Sequence, residues 1–402
     1  MAALITIAWV LLAVSTAGLT FWLVAIALVG RALAGQPTVR RGLENPRPEG
    51  AWPRLSIIVP AHNEEQMIDA CARSLREQDY ENLEIIFVLD RCTDATAERL
   101  APHAAADSRV VIVENDTCPE QWAGKCHAAQ CGADRATGEW LLFTDADTRF
   151  DPKLARAAVA LALERRSDLL SLLTTLTVEH RFERIVQPVA MVNLARMYPI
   201  ERVNRAERTR PFANGQFMLF RRVWYERLGG HAAVRDALLE DIAFARLLHR
   251  RGGRGALVLA DGMLVCSMYE TLDAFKAGWK RIFIEACGRK PARLRKNGWR
   301  VLISGIGFPL VQVATLITAV AVALNGQMPL GIAMVAAAGG AWLAQAAALL
   351  RVYPLGGAPR LAVLWYPAGC WIVGRLMLAA ASDLEQRRPV VWGGKQYVLE
   401  PR

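Results

Sequence analysis

The chain has 402 residues, 53% of them hydrophobic and 21% charged, with a formal net charge of +10. Such a composition excludes an ordinary soluble globule unless the apolar residues are gathered into a few segments, and the length allows about two to three domains. The basic excess suits nucleic acid, anionic lipid headgroups or a phosphorylated substrate; the interleaved aromatic and basic residues of an RNA-binding module are missing, so membrane and phosphate are expected and nucleic acid is not.

Residues 1–31 read as a transmembrane helix. Leu4 to Val29 carries no charge and is long enough to cross a hydrocarbon core of about 30 Å. It lacks the positive leader, the short apolar core and the cleavage site of a signal peptide. Arg31, Arg40, Arg41 and Arg47 follow it, so the positive-inside rule places the next domain in the cytoplasm, at the inner face of the membrane.

Residues 52–265 have the size of one α/β domain. Leu55-Ser56-Ile57-Ile58-Val59-Pro60 is a short β-branched run ending at Pro60, followed by an amphipathic helix to about Glu77 with Met67, Ile68, Cys71 and Leu75 on one side. Leu83–Leu89 is a second strand ending at Asp90. Thr93-Asp94-Ala95-Thr96 can cap a helix. Arg109–Val113 is a third strand, His127–Arg135 a helix, and Trp140–Phe143 a fourth strand that stops at Thr144-Asp145-Ala146-Asp147-Thr148. Alternating strands and helices imply a mostly parallel sheet covered on both faces. In such sheets the ligand sits beyond the carboxyl ends of the strands, where Asn63, Glu64, Asp90, Asp145 and Asp147 are expected. Two carboxylates one residue apart suit Mg²⁺ or Mn²⁺ bridging to substrate phosphates, if the segment is extended and both face one side. Turn chemistry is the plain alternative. Gly124-Lys125 at a helix start reads as an anion site, without the spacing of a Walker loop.

Val186 to Tyr198 is apolar and suits either core packing or acceptor contact, and Arg202, Arg205, Arg208 and Arg210 follow. Residues 268–300 read as a basic interfacial segment: Leu272, Phe275, Trp279, Ile282, Phe283 and Ala286 recur at helical spacing, with Lys276, Lys280 and Arg281 beside them and Arg289, Lys290, Arg293, Arg295, Lys296 and Arg300 after them. Residues 301–381 hold two to three apolar helices, Val301–Leu324, Met328–Leu350 and Leu361–Ala381. The third, with Arg375 and a Tyr366-Pro367 break, either spans or lies partly in the interface. If it spans, the polar tail 382–402 with Arg387 and Arg388 lies outside, against the charge rule. The eight cysteines form no CxxC pair and no zinc spacing, so reduced, mostly buried thiols are expected.

Pro60-Ala61-His62-Asn63-Glu64, Asp90-Arg91-Cys92-Thr93-Asp94, Trp122-Ala123-Gly124-Lys125, Thr144-Asp145-Ala146-Asp147, Gly229-Gly230-His231 and Glu240-Asp241 together resemble membrane-bound family 2 glycosyltransferases of GT-A fold, over most of Leu55 to Trp279. The Trp-x-Gly-Lys box, Gly-Gly-His with Glu240-Asp241, and Val391-Trp392-Gly393-Gly394-Lys395-Gln396-Tyr397 more narrowly resemble the bacterial carotenoid- and hopanoid-associated branch. The resemblance implies inverting, non-processive transfer of a sugar from a UDP-sugar to a membrane lipid. Pro60, Ala61, Asn63, Glu64 and Asp90 would hold the nucleoside. Lys125 would meet the diphosphate and Asp145 would border it. Asp147, with Asp145, would hold Mg²⁺ or Mn²⁺, and Asp241 would be the general base. An N-terminal helix acid such as Asp241 can also simply cap. The sequence departs from the family at Leu89, where an aspartate is common, and at Cys92, where serine is usual. It also lacks a Gln-x-x-Arg-Trp box, which argues against a polysaccharide synthase. The rivals are a polyprenyl-phosphate, sphingolipid or diacylglycerol glycosyltransferase, an inactive membrane scaffold, and a transporter. The last would need more ionised residues in the spans than Arg375.

Overall fold

A computed structural model describes residues 1–33, 37–45, 51–205, 210–392 and 395–402. Arg47, Arg208 and Gly393-Gly394 lie outside the described residues. The strands are β1 (Leu55–Ala61), β2 (Leu83–Asp90), β3 (Val110–Asn115), β4 (Trp140–Phe143), β5 (Thr148–Phe150), β6 (Leu169–Leu173), β7 (Thr175–Leu176), β8 (Met218–Arg221), β9 (Gly255–Leu259), β10 (Leu264–Cys266), β11 (Val390–Trp392) and β12 (Lys395–Tyr397).

The main sheet runs β3-β2-β1-β4-β8-β6-β9. β1 pairs in parallel with β2 and β4, and β2 with β3. β8 is antiparallel to both β4 and β6, while β6 and β9 are parallel. The sheet is therefore mixed, though mostly parallel: β8 follows the long helical excursion from Arg181 and enters the sheet from the opposite end. β1 also continues one residue past Pro60; proline is tolerated there because it removes only a donor near the strand end.

Residue-by-residue alternation creates two cores. Ile57, Val59, Ile85, Phe87 and Leu142 face one layer, where the helices Ile68–Arg76 and Leu154–Glu164 pack. Ile58, Ile86, Val88, Leu141 and Phe143 face the other, under the helices Gly124–Arg135 and Glu240–Arg250. Each such buried side chain contributes on the order of 1.5–3 kcal/mol. The arrangement fixes the site, because the parallel strands β1, β2 and β4 end on one edge and present Asn63, Asp90 and Asp145 together. A second sheet, β5-β10-β7, extends that edge.

Among the described residues, four helices are long and apolar enough to cross a membrane: Ala2–Arg31, Pro291–Leu324, Met328–Gly356 and Arg360–Glu385. The chain is a multi-pass membrane protein by that measure. The first packs against Phe308–Leu324 and Met328–Val352, with Ser15 and Thr315 hydroxyls 2.9 Å apart. The helix Tyr366–Glu385 packs elsewhere, on Pro291–Leu302, Leu272–Ala286 and Arg181–Met197.

That packing revises the reading of 268–300. The apolar stripe of Leu272–Ala286 is covered by protein: Phe275, Trp279 and Phe283 belong to a core with Val189, Val373 and Met377. Several of its cations also have acid partners. Lys280 meets Asp383 at 2.6 Å, Arg289 meets Glu285 at 2.7 Å and Arg295 meets Glu385 at 2.6 Å. Val186 and Val189 enter the same core, and Arg210 donates to the Met197 carbonyl at 2.8 Å.

Candidate active site

The turn after β4 shows why hydroxyls flank the two acids. Thr148 Oγ1 donates to the Asp145 carbonyl at 2.7 Å, and Thr144 Oγ1 donates to the Gln216 carbonyl at 2.8 Å while lying 3.0 Å from Thr148 Oγ1. Asp145-Ala146-Asp147 is thus a pinned turn rather than the extended segment expected from alternation. Both carboxylates nevertheless lie in the field of Glu64. Burial first, then Asp147 and Asp145, push the Glu64 carboxyl up to about 8. Burial and Asp145 push Asp147 up to about 7, and its Oδ1 is buried without a hydrogen-bond partner.

Lys125 stands in the first turn of Gly124–Arg135. Its Nζ lies 2.6 Å from Asp145 Oδ1 and 2.7 Å from Glu240 Oε1. Burial works against the ammonium, but the two carboxylates outweigh it and hold its pKa above the usual lysine range. Glu240, with 3% of its surface exposed, is penalised by burial and held ionised by Lys125, so its pKa is lowered.

Asp241 follows directly. Its Oδ2 accepts from the Gly215 amide at 2.8 Å and its Oδ1 from the Ile242 amide at 2.6 Å. Burial and Glu240 raise its pKa to about 7, against the pull of Lys125 and the two amides. Gly215 closes the group: a Cβ there would meet Glu240 Oε1 at 3.1 Å, Lys125 Nζ at 3.2 Å and Asp241 Oδ2 at 3.4 Å. Asn214 fixes that turn, donating to the Leu172 carbonyl and to Thr174 Oγ1, each at 3.0 Å.

The remaining expected residues line the opposite side. Asn63 takes a positive φ of 57°, a conformation asparagine tolerates, and its Oδ1 accepts from the Thr93 amide at 2.8 Å. Asp90 is buried and already committed: Arg91 donates to both its oxygens at 2.9 and 2.6 Å, and Asn115 donates at 3.0 Å. Ala61 is buried and Pro60 half-buried beside them; Cys92 Sγ lies 3.4 Å from the Ala61 carbonyl.

Gly-Gly-His is a support rather than a contact. Gly229 and Gly230 have φ of 89° and 58°, which turns the chain so that His231 enters the core between Phe143 and Phe244, at centroid distances of 4.6 and 4.9 Å. Burial lowers its pKa to about 3, so it stays neutral and braces the helix carrying Glu240 and Asp241.

Sequence reasoning missed three residues of this neighbourhood. In the sequence Glu240 stands only as the companion of Asp241 and Tyr397 only within a tail motif, and nothing singles out Gly215. Tyr397, on β12, is half-buried and its hydroxyl is sealed from water without a hydrogen-bond partner among the described residues. Spacing offers no signal for any of these, since the groups around them lie far away in the chain.

The acid pair fits a divalent cation. An orphaned carboxylate oxygen on Asp147, and Asp147 and Glu64 carboxyls pushed up by burial and then by their acidic neighbours, are what a bound cation would relieve. Among the described residues no group of three or more His, Cys, Asp or Glu side chains is placed to hold one, so donor phosphates would have to complete the shell.

Residues 56–229 match the profile of Glycosyl transferase family 2, and the chain carries a family 2 glycosyltransferase domain with a GT-A-like fold. It is 27% identical over 241 residues, 59% of this chain and 63% of the relative, to the 4,4'-diaponeurosporenoate glycosyltransferase of Staphylococcus aureus strain USA300. It is 31% identical to EpsH of Bacillus subtilis strain 168 over 25% of this chain and 28% of that one. It is 27% identical to the glycosyltransferase GlyA of Streptococcus pneumoniae serotype 4, over 29% of this chain and 16% of that one. The chain spans less than two thirds of the length of each of these curated relatives. Among solved structures it is similar to a mannosyltransferase of Pyrobaculum calidifontis, at 21% identity, a TM-score of 0.47, and coverage of 93% and 98% of the two chains.

Proposed function

We propose that this protein is an inverting, non-processive glycosyltransferase that moves a sugar from a UDP-sugar to a hydroxyl or carboxylate on an isoprenoid-type membrane lipid. The observation that carries the reading is the chain Asp145–Lys125–Glu240, with Asp241 adjoining it. One lysine touches both the acid turn and the helix that bears the candidate base. The donor's diphosphate and the acceptor's reactive oxygen would thereby be held in fixed relation. Similarity to the Staphylococcus aureus diaponeurosporenoate glycosyltransferase supports the lipid class.

For a hydroxyl acceptor the chemistry follows from these groups. The acceptor oxygen attacks the anomeric carbon, the bond from that carbon to the phosphate oxygen breaks, and the hydroxyl proton passes to Asp241. The nucleoside diphosphate leaves with the bonding electrons, and Lys125 stabilises the charge it gains. Asp147 and Asp145 would hold Mg²⁺ or Mn²⁺, which when bound would neutralise that diphosphate further. Pro60, Ala61, Asn63, Glu64 and Asp90 would flank the nucleoside, with Arg91 sharing the Asp90 carboxylate.

The test is UDP release in native membranes supplied with Mg²⁺ or Mn²⁺ and a panel of UDP-sugars, comparing wild type with Asp241→Asn. Release that depends on the metal and on Asp241, with a glycolipid in the extract, is expected. Folded protein that releases no nucleotide from any donor, with native lipid present, would end the reading.

A further inference from the structure

Four apolar helices, if all crossed the bilayer, would put the tail on the side opposite the catalytic domain. The tail is instead built onto that domain's side of the molecule. Arg402 N donates to the Arg289 carbonyl at 2.9 Å, Leu399 is 5% exposed in the core that holds Phe275 and Trp279, and Lys280 pairs with Asp383 at 2.6 Å. One of the four therefore does not cross.

Contacts along Tyr366–Glu385 show which one. It runs antiparallel beside Pro291–Leu302. Ser304 Oγ lies 2.8 Å from Tyr366 Oη near one end, and Arg295 lies 2.6 Å from Glu385 near the other. Between them the backbones approach closely at glycines: a Cβ on Gly298 would sit 3.0 Å from the Gly374 carbonyl oxygen. Pro291–Leu302 carries Arg293, Arg295, Lys296 and Arg300. A cation at the centre of the hydrocarbon is strongly disfavoured, so four of them keep this helix in water or headgroups and hold its neighbour there. Arg375, exposed midway along Tyr366–Glu385, would likewise face acyl chains if that helix crossed. On its other side the helix packs on Arg181–Met197, where Asn193 Nδ2 lies 3.1 Å from Met377 Sδ.

We infer that the helix Arg360–Glu385 does not span the membrane but forms, with the end of Pro291–Leu302, a surface that rests on the lipid bilayer on the side of the catalytic domain. Three crossings remain, Ala2–Arg31, Phe308–Leu324 and Met328–Val352. The apolar side chains at the membrane end of the helix pair are uncovered: Leu361 78%, Leu364 77%, Trp365 56%, Trp371 51%, Trp299 56% and Ile303 60% exposed. They are continuous with the crossing that begins at Phe308. Aromatic residues with basic neighbours suit the boundary between headgroups and acyl chains. Towards Glu385 the outward face turns polar, so the helix rises from the bilayer surface onto the domain. This topology also returns Arg387 and Arg388 to the side of Arg40 and Arg41, as the charge rule requires.

The inference is independent of the catalytic reading and is tested by topology. Alkaline phosphatase and green fluorescent protein are each fused after Arg402 of the full chain and, separately, inserted at the exposed Asn325-Gly326 turn. The expected result is opposite sides: phosphatase activity at the turn, and fluorescence without phosphatase activity at the C-terminus. The same side for both positions would restore a fourth crossing and overturn the inference. If the insertion at the turn does not accumulate, a fusion at the N-terminus, separated from the turn by two crossings, serves in its place with the same expected and overturning results.

Discussion

Gly215→Ala isolates the geometry of the site from its charges. The new methyl would lie 3.1 Å from Glu240 Oε1, 3.2 Å from Lys125 Nζ and 3.4 Å from Asp241 Oδ2. Those distances are a few tenths of an ångström short of comfortable contact, so the three polar groups must shift by about that much. If a 1 Å misplacement costs about 10²-fold, this shift lowers turnover by roughly 3- to 10-fold. Gly215 does not sit in the left-handed region, so alanine is free of backbone strain, and the gain of about 0.4–1 kcal/mol from restricting the unfolded chain offsets the cost of shifting those groups. Turnover should thus fall while the protein stays folded. The assay pairs UDP release in membranes with thermal unfolding in detergent. Wild-type turnover in a folded Gly215→Ala protein would show that Asp241 and Lys125 need no fixed spacing, and would refute the argument.

Asp241→Asn should lower turnover by about 10²–10⁴-fold while nucleotide binding persists, read by UDP release against UDP affinity. Wild-type kcat/KM should climb with pH through about 7. The raised pKa leaves Asp241 protonated, and useless as a base, below that point, and a pH profile that is flat from 5.5 to 8.5 would contradict the assignment. Lys125→Met removes the cation that holds the sealed Glu240 carboxylate ionised, which should cost about 3–5 kcal/mol in denaturant unfolding. Adding Glu240→Gln should recover most of that stability and none of the activity. Chelation should abolish UDP release, and Asp147→Asn should remove its stimulation by Mn²⁺ while leaving the far-ultraviolet spectrum unchanged.

Much of the site is legible in the chain because it is local. Pro60 through Glu64, Asp90 and the turn Asp145-Ala146-Asp147 each end a strand, and parallel strands bring such ends together without further information. The period-2 runs Ile57-Ile58-Val59 and Ile85-Ile86-Phe87 likewise announce a sheet covered on both faces. Helical spacing identifies Leu272–Ala286 as amphipathic with its bounds intact, yet periodicity says only that one face is apolar, not what covers it. The structure covers it with the helix Tyr366–Glu385, about a hundred residues later, rather than with lipid.

The other decisions belong to tertiary structure for the same reason. Lys125 meets Glu240 across more than a hundred residues, and Gly215 leaves the space beside both that a Cβ would fill; no spacing rule joins them, since each is fixed by a different strand or helix. A hydropathy window counts four apolar helices but is blind to neighbours. Only the packing of Tyr366–Glu385 along a helix with four cations sets that one apart, because desolvating those charges costs more than burying its apolar side chains in lipid gains. The sequence by itself determined the sheet, the acid-lined edge and the membrane anchorage; the folded chain decided which charges compensate one another.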